Sequence, residues 1–323
     1  IMNKAFFFCL VSVNVFFTVF TTGIRAENDM ANTLIHKPTS LGVVKVLENV
    51  VSTDAIEFNN VYSIKYNEFY YTRASENFSE SSIWVAYLLK DGLDKSYHTK
   101  KVSINGLLAS QNTSDVHVSP NGERLLFVIE ANDSSQKSQI YSAMREGNNW
   151  GNLQKVLLSE EQANKDLYYP NTSQSGNLYF TQRNEKSSGD IYSVQKTQTG
   201  YAAPLKLPNT INTEKLEGDA FIAPDESYLI FSRMHDEKGK GMSDLYISFN
   251  LGNAESEEIN WSEAINMTEY NTVYIEGSAF VTRDGKTIMF TSNREAENPK
   301  HFDGTLDIYA AYFDINRWKA KLP

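Results

Sequence analysis

Carboxylates and guanidiniums recur along this chain at matching places. An acidic residue stands at or just before an apolar run five times, as Glu57, Asp115, Asp166, Glu217 and Glu276, and Arg73, Arg183, Arg233 and Arg294 follow four of those runs. Gathered at one site, such carboxylates could hold a cation or sugar hydroxyls, and the guanidiniums could clamp a carboxylate through two parallel hydrogen bonds. The plainer reading is mortar: each Arg pairs with an acid of its own or the next unit, because an unpaired buried charge is costly. The segments Glu217-Gly218-Asp219 and Glu276-Gly277 depart most from a uniform repeat, which adds Asp219 to the ligand-binding candidates.

Other chemistry is thin. The histidines are His36, His98, His117, His235 and His301, no two of them at metal-ligand spacing, so neither a metal nor a cofactor is expected. His117 sits in an apolar run that would direct it inward, and it joins the candidates. There is no Gly-x-Ser-x-Gly elbow and no Ser-His-Asp order in a supporting context, and Cys9 is the only cysteine. No catalytic residue is assigned.

A repeat carries these residues. A short apolar strand, a polar turn, a second strand ending in an aromatic, a polar loop and a third strand around Tyr or Trp recur five times. The fifth copy reads Ser278 to Thr282, Arg283-Asp284-Gly285-Lys286, Thr287 to Thr291 with Phe290, then Asp307-Ile308-Tyr309. Tyr71, Phe127, Phe180, Phe231 and Phe290 mark the second strands, roughly every 50 to 60 residues against about 40 to 50 in most propeller repeats. Runs opening at Trp150, Tyr201 and Trp261 supply fourth strands, and Asn-Gly or Asp-Gly turns signal hairpins.

A lone sheet of this kind would leave its faces and edges exposed, so the copies must stack around an axis. The expected fold is all-β: a single β-propeller of four-stranded antiparallel blades over 41–323, with five blades visible and six allowed. The repeats span about 57–108, 113–158, 166–208, 217–268 and 276–323. Val43 to Leu47 is expected to join the last blade and close the ring, with Arg317 to Leu322 as the competing outer strand. The loop before each inner strand and the loop between second and third strands share one face, so the recurrent charges should collect at that mouth of the channel. The segment from Asp236 to Gly241 has no apolar anchor and is expected to be a mobile loop.

Bulk properties set the surroundings. The 323 residues are 41% hydrophobic and 12% aromatic, and 40 acids against 30 bases leave a net charge of -10, which opposes nucleic acid as a partner. Lys4, the uncharged run Ala5 to Phe20 and the small residue Ala26 read as a signal peptide over 1–26, followed by a flexible segment over 27–40. Cys9 falls inside it, so the mature chain would lack disulfides. An uncleaved anchor is the alternative. A periplasmic or extracellular monomer without stable membrane insertion is expected.

Ser119-Pro120-Asn121-Gly122 with Leu126-Phe127, and Arg283-Asp284-Gly285-Lys286 with Phe290-Thr291-Ser292-Asn293-Arg294 and Asp307-Ile308-Tyr309, resemble the WD40-like propeller repeat of TolB and of many exported bacterial proteins. The resemblance implies the fold over most of the chain and says little of function. The propeller of oligogalacturonate lyases is also similar, but its metal-binding histidine cluster has no equivalent here. The sequence therefore reads as a non-enzymatic propeller recognising a protein, peptide or glycan at its channel face. The alternative is a carbohydrate-active hydrolase or lyase using the mouth carboxylates.

Overall fold

Short apolar and aromatic runs buried on both faces, such as Leu125 to Ile129, alternate with turns that need a left-handed residue and fold the chain into successive hairpins. The computed structural model describes residues 42–91, 94–133, 135–183, 189–252, 259–298 and 305–322. The leader expected at 1–26, the segment 27–40 and His301 lie outside the described residues.

Five four-stranded antiparallel sheets form a β-propeller. The first blade is β2 (Ile56–Ser63), β3 (Glu68–Ala74), β4 (Ser81–Asp91) and β5 (Asp94–Lys101); the second is β6 (Thr113–Val118), β7 (Arg124–Ile129), β8 (Gln139–Glu146) and β9 (Asn149–Lys155). The third is β10 (Asp166–Thr172), β11 (Leu178–Arg183), β12 (Gly189–Val194) and β13 (Leu205–Lys206). The fourth is β14 (Leu216–Ile222), β15 (Tyr228–Met234), β16 (Ser243–Phe249) and β17 (Ile265–Asn266). The fifth joins β18 (Glu276–Val281), β19 (Thr287–Ser292) and β20 (Asp307–Tyr312) to β1 (Val44–Lys45) from the start of the described chain.

The recurring aromatics are cross-strand pairs. Tyr71 faces Trp84, Phe127 faces Tyr141, Phe180 faces Tyr192, Phe231 faces Tyr246 and Phe290 faces Tyr309. All five second-strand rings are fully buried. Such pairs contribute roughly 0.2–1 kcal/mol each and fix the register. Between the first two strands of each blade, Asn67, Gly122, Gly176, Glu226 and Gly285 take the left-handed conformation that a tight turn requires.

The core lies between blades. One cluster sets Phe127 and Val116 of the second blade against Tyr70 and Ile83 of the first, another sets Phe231 and Ala220 against Tyr179 and Ile191, and three more fill the remaining gaps. No blade buries its faces alone, so the ring is the folding unit.

The ring closes as the sequence suggests: Val44 pairs with Ala310 and Lys45 with Tyr309. Lys45 Nζ reaches Asp307 at 2.9 Å and Glu295 at 2.7 Å, and Val46 and Val51 are fully buried between the fifth and first blades. The competing segment is instead α2 (Ile315–Lys319), because Asp314 caps it by accepting from Asn316 N while Trp318 packs inward. The only other described helix is α1 (Glu160–Ala163), which precedes the third blade.

The expected mobile loop is anchored. Lys240 and Gly241 donate their backbone N–H groups to Asp244 at 2.7 and 3.0 Å, and Lys240 Nζ donates to the Thr268 carbonyl at 2.6 Å. Polar contacts to buried Asp244 supply the anchor that apolar residues do not.

Candidate functional site

Strand register sorts the recurrent charges into two kinds. Every inner strand carries a β-bulge. The bulged residues Asn59, Asp115, Tyr169, Asp219 and Ser278 have φ of 49°, 54°, 50°, 55° and 49°. Bulges re-aim side chains, and three of these five, Tyr169, Asp219 and Ser278, line one cleft. In this alignment Glu57, Glu217 and Glu276 are equivalent, each two residues before its bulge, and the matching positions in the other blades are Thr113 and Leu167. Asp115 and Asp166 therefore fall out of the series that spacing alone puts them in.

The three equivalent glutamates are mortar. Each is fully buried and bound to an arginine: Glu57 to Arg73 at 2.7 Å, Glu217 to Arg233 at 2.7 Å and Glu276 to Arg294 at 3.2 Å. Their oxygens also accept from Thr53, Thr213 and Thr272, through both backbone N–H and hydroxyl. The guanidiniums lie 4.5 Å from the Trp84 ring, 4.6 Å from Tyr246 and 4.9 Å from Tyr309. They donate as well to the carbonyls of Val51, Ile211 and Tyr270. Engaged inside the wall in this way, these residues do not form the mouth expected of them.

The latch has a signature that acid spacing overlooks: Asn212-Thr213 precedes Glu217 and Asn271-Thr272 precedes Glu276, with Ser52-Thr53 before Glu57. Asn212 accepts from Ile191 N at 2.8 Å and donates to the carbonyls of Ile191 and Leu207 at 2.9 Å. Asn271 makes the equivalent pair of bonds with Leu245. An Asn-Thr-x-x-x-Glu search would have found it.

His117 does not join Asp115. It lies two residues beyond the bulge, and its ring nitrogens bond Thr172 Oγ1 at 2.8 Å, Thr172 N at 3.1 Å and Asn171 at 3.2 Å. It lines a narrow cavity of 70 Å³ together with Phe221 and Phe280, whose rings meet edge-on at 5.6 Å. Asp166 accepts from Ser138 N at 2.9 Å and from Lys137 at 3.3 Å, and it is also structural.

Asp115, Tyr169, Asp219 and Arg183 remain. Tyr169 links the carboxyls: its backbone N–H donates to Asp115 Oδ2 at 3.1 Å, and its phenol stands beside Asp219. Asp219 Oδ2 also accepts from Ser278 N at 3.2 Å and Ser278 Oγ at 3.3 Å. Burial pushes Asp115 well above the usual carboxylate range and raises Asp219 too, although Ser232 and Ser278 oppose the rise at Asp219. Neither carboxyl has an ion-pair partner among the described residues.

Arg183 is one residue beyond Gln182, the strand-register equivalent of Arg73 and Arg233. With a period of two, that single step turns its side chain to the other face of the sheet. It is exposed and lies 4.6 Å from the Tyr168 ring. Tyr169, Asp219, Ser278 and Arg183 line a cleft of 430 Å³ whose lining also includes Phe58, Phe78, Met234 and Met242.

Gly277 makes room for this arrangement. A Cβ there would meet Asp219 Oδ2 at 2.6 Å. Gly277→Ala should therefore displace the carboxylate and cost about 1–3 kcal/mol by overpacking. Thermal unfolding checks it, and an unchanged melting temperature would contradict the packing described.

No family model matches the chain, and no curated protein sequence does. Among solved structures, a thermostable family-43 glycoside hydrolase superposes with a TM-score of 0.51 at 11% identity, covering 82% of this chain and 91% of that one. The putative TolB from Agrobacterium tumefaciens gives 0.47 at 14% identity over 81% and 92% of the two chains. The native Bacillus subtilis arabinanase gives 0.47 at 12% over 88% and 99%. At such identities the likeness speaks for the propeller alone.

Proposed function

We propose that this chain is an exported, monomeric propeller that binds a peptide or glycan in its channel mouth without transforming it. The observation that supports this reading is the division of charges. Glu57, Glu217 and Glu276 are consumed by the wall, whereas Asp115, Asp219 and Arg183 gather at the channel without ion pairs among the described residues, the last two lining its cleft. The hairpins' resemblance to the WD40-like repeat, together with the uncharged run Ala5 to Phe20, supports export.

Asp219→Asn keeps the shape and removes one acceptor. It is expected to weaken binding of an arrayed glycan or peptide about tenfold, in line with the loss of one hydrogen bond. Because burial already disfavours the ionised carboxyl, the variant should be no less stable than wild type at neutral pH. Binding unchanged by this substitution would place the ligand elsewhere.

One observation favours a second reading. Burial raises both Asp115 and Asp219, as a general acid requires, and both belong to the same channel. Release of reducing sugar from oligosaccharides, abolished by Asp219→Asn, would replace the binding reading with glycoside hydrolysis.

A further inference from the structure

Thr181 and Arg183 lie two apart on β11, so both side chains point to the same face of the sheet, and both line the cleft. The Thr181 hydroxyl is buried, with the residue only 2% exposed, and its oxygen has no hydrogen-bond partner among the described residues. The Arg183 guanidinium beside it makes no ion pair among the described residues, unlike Arg73, Arg233 and Arg294. An unsatisfied hydroxyl on the same strand face as a guanidinium without an ion pair suits a carboxylate, which can take the fork and accept from the hydroxyl at once. Arg183 also lies in the field of Asp115 and Asp219.

The apolar part of the lining decides what must accompany that carboxylate. Phe58, Phe78, Leu216, Met234, Met242 and Leu306 are apolar, and the two phenylalanine rings meet at 62° with centroids 6.0 Å apart. A sugar laid there would turn hydroxyls towards groups that cannot bond them. An aliphatic or aromatic side chain fits, and flexible methionines adapt to its shape. Asp219 and Ser278 also line the cleft; the Ser278 hydroxyl already donates to Asp219, which leaves the serine oxygen as an acceptor for a peptide N–H.

We propose that the mouth seats the carboxyl terminus of a peptide ending in an apolar residue, with the terminal carboxylate on Arg183 and Thr181 and the last side chain against Phe58 and Met234. This rests on the mouth being the binding site. The probes are N-acetylated peptides ending in Leu, Phe or Lys, each as free acid and as amide, with a neutral oligosaccharide alongside, titrated into the full chain by calorimetry. Variants are Arg183→Gln, Thr181→Val and the cleft-filling Met234→Trp, each confirmed as folded by its thermal transition.

The acid ending in Leu or Phe should bind about tenfold or more tightly than its amide, and Arg183→Gln should erase that preference. Thr181→Val should reduce it, and the Lys-terminal peptide should bind weakly. Equal affinity for acid and amide, or binding of the oligosaccharide alone, overturns the carboxylate proposal while leaving the mouth as the site if Met234→Trp abolishes binding. Binding that survives Met234→Trp overturns both.

Discussion

Arg233→Met is expected to lower unfolding free energy by about 3–5 kcal/mol, because it strands Glu217 in the wall with its charge uncompensated. The guanidinium does several jobs there: it bonds Glu217 at 2.7 Å, donates to the Ile211 carbonyl at 3.0 Å and lies 4.6 Å from the Tyr246 ring. The double variant Glu217→Gln/Arg233→Met should recover most of the loss, since a buried ion pair replaced as a unit is often neutral. Arg183→Met is the control. Its side chain is exposed at the mouth, so the cost should stay within about 0.5 kcal/mol. Urea unfolding of the four proteins checks the contrast, and equal losses for the two single arginine variants would refute the division of charges.

Acid should destabilise the fold through His117. Burial, helped by the nearby Arg124, lowers its pKa from 6.5 to about 3. The unfolded chain takes up a proton below pH 6.5 that the folded chain refuses. His117 thus contributes no penalty above that pH, and stability is lost progressively as pH falls towards 3. With about 1.36 kcal/mol for each tenfold loss of proton affinity, the full cost is on the order of 5 kcal/mol.

The raised carboxyls Asp115 and Asp219 act with the opposite sign: their folded forms hold protons longer, so their contribution is greatest at low pH and is lost as pH rises above about 4. His117→Gln removes only the histidine component. Subtracting its stability profile from that of wild type should leave a difference that grows between pH 6.5 and 3. A flat difference would mean that the imidazole is reached by water.

The fold is legible in the sequence because repetition multiplies weak signals. One hairpin with an aromatic at its end is ambiguous, but Phe127, Phe180, Phe231 and Phe290 at similar spacing are not, and the closing role of Val43 to Leu47 follows from counting strands. The site is less legible for a geometric reason. A sequence scan groups acids by proximity to a strand, whereas a β-sheet assigns faces by parity and a bulge resets that parity. One residue separates Arg183 from the equivalent of Arg233, and two separate Asp115 from the equivalent of Glu217. These small offsets divide cleft from wall. The anchored loop at Lys240 and Gly241 escapes a search for apolar anchors because its own anchor, Asp244, lies in the following strand and is polar.

Closing the ring with Val44 and Lys45 has a consequence for biosynthesis. These residues leave the ribosome well before their partners Asp307 to Tyr312, which lie far along the chain. At about 5–20 residues per second, tens of seconds separate the two. During that interval the first four blades can form and stack, yet the last gap cannot be sealed and the fully locked state does not exist. The core between the fifth and first blades, with Val46 and Val51 in it, is therefore the last to be completed.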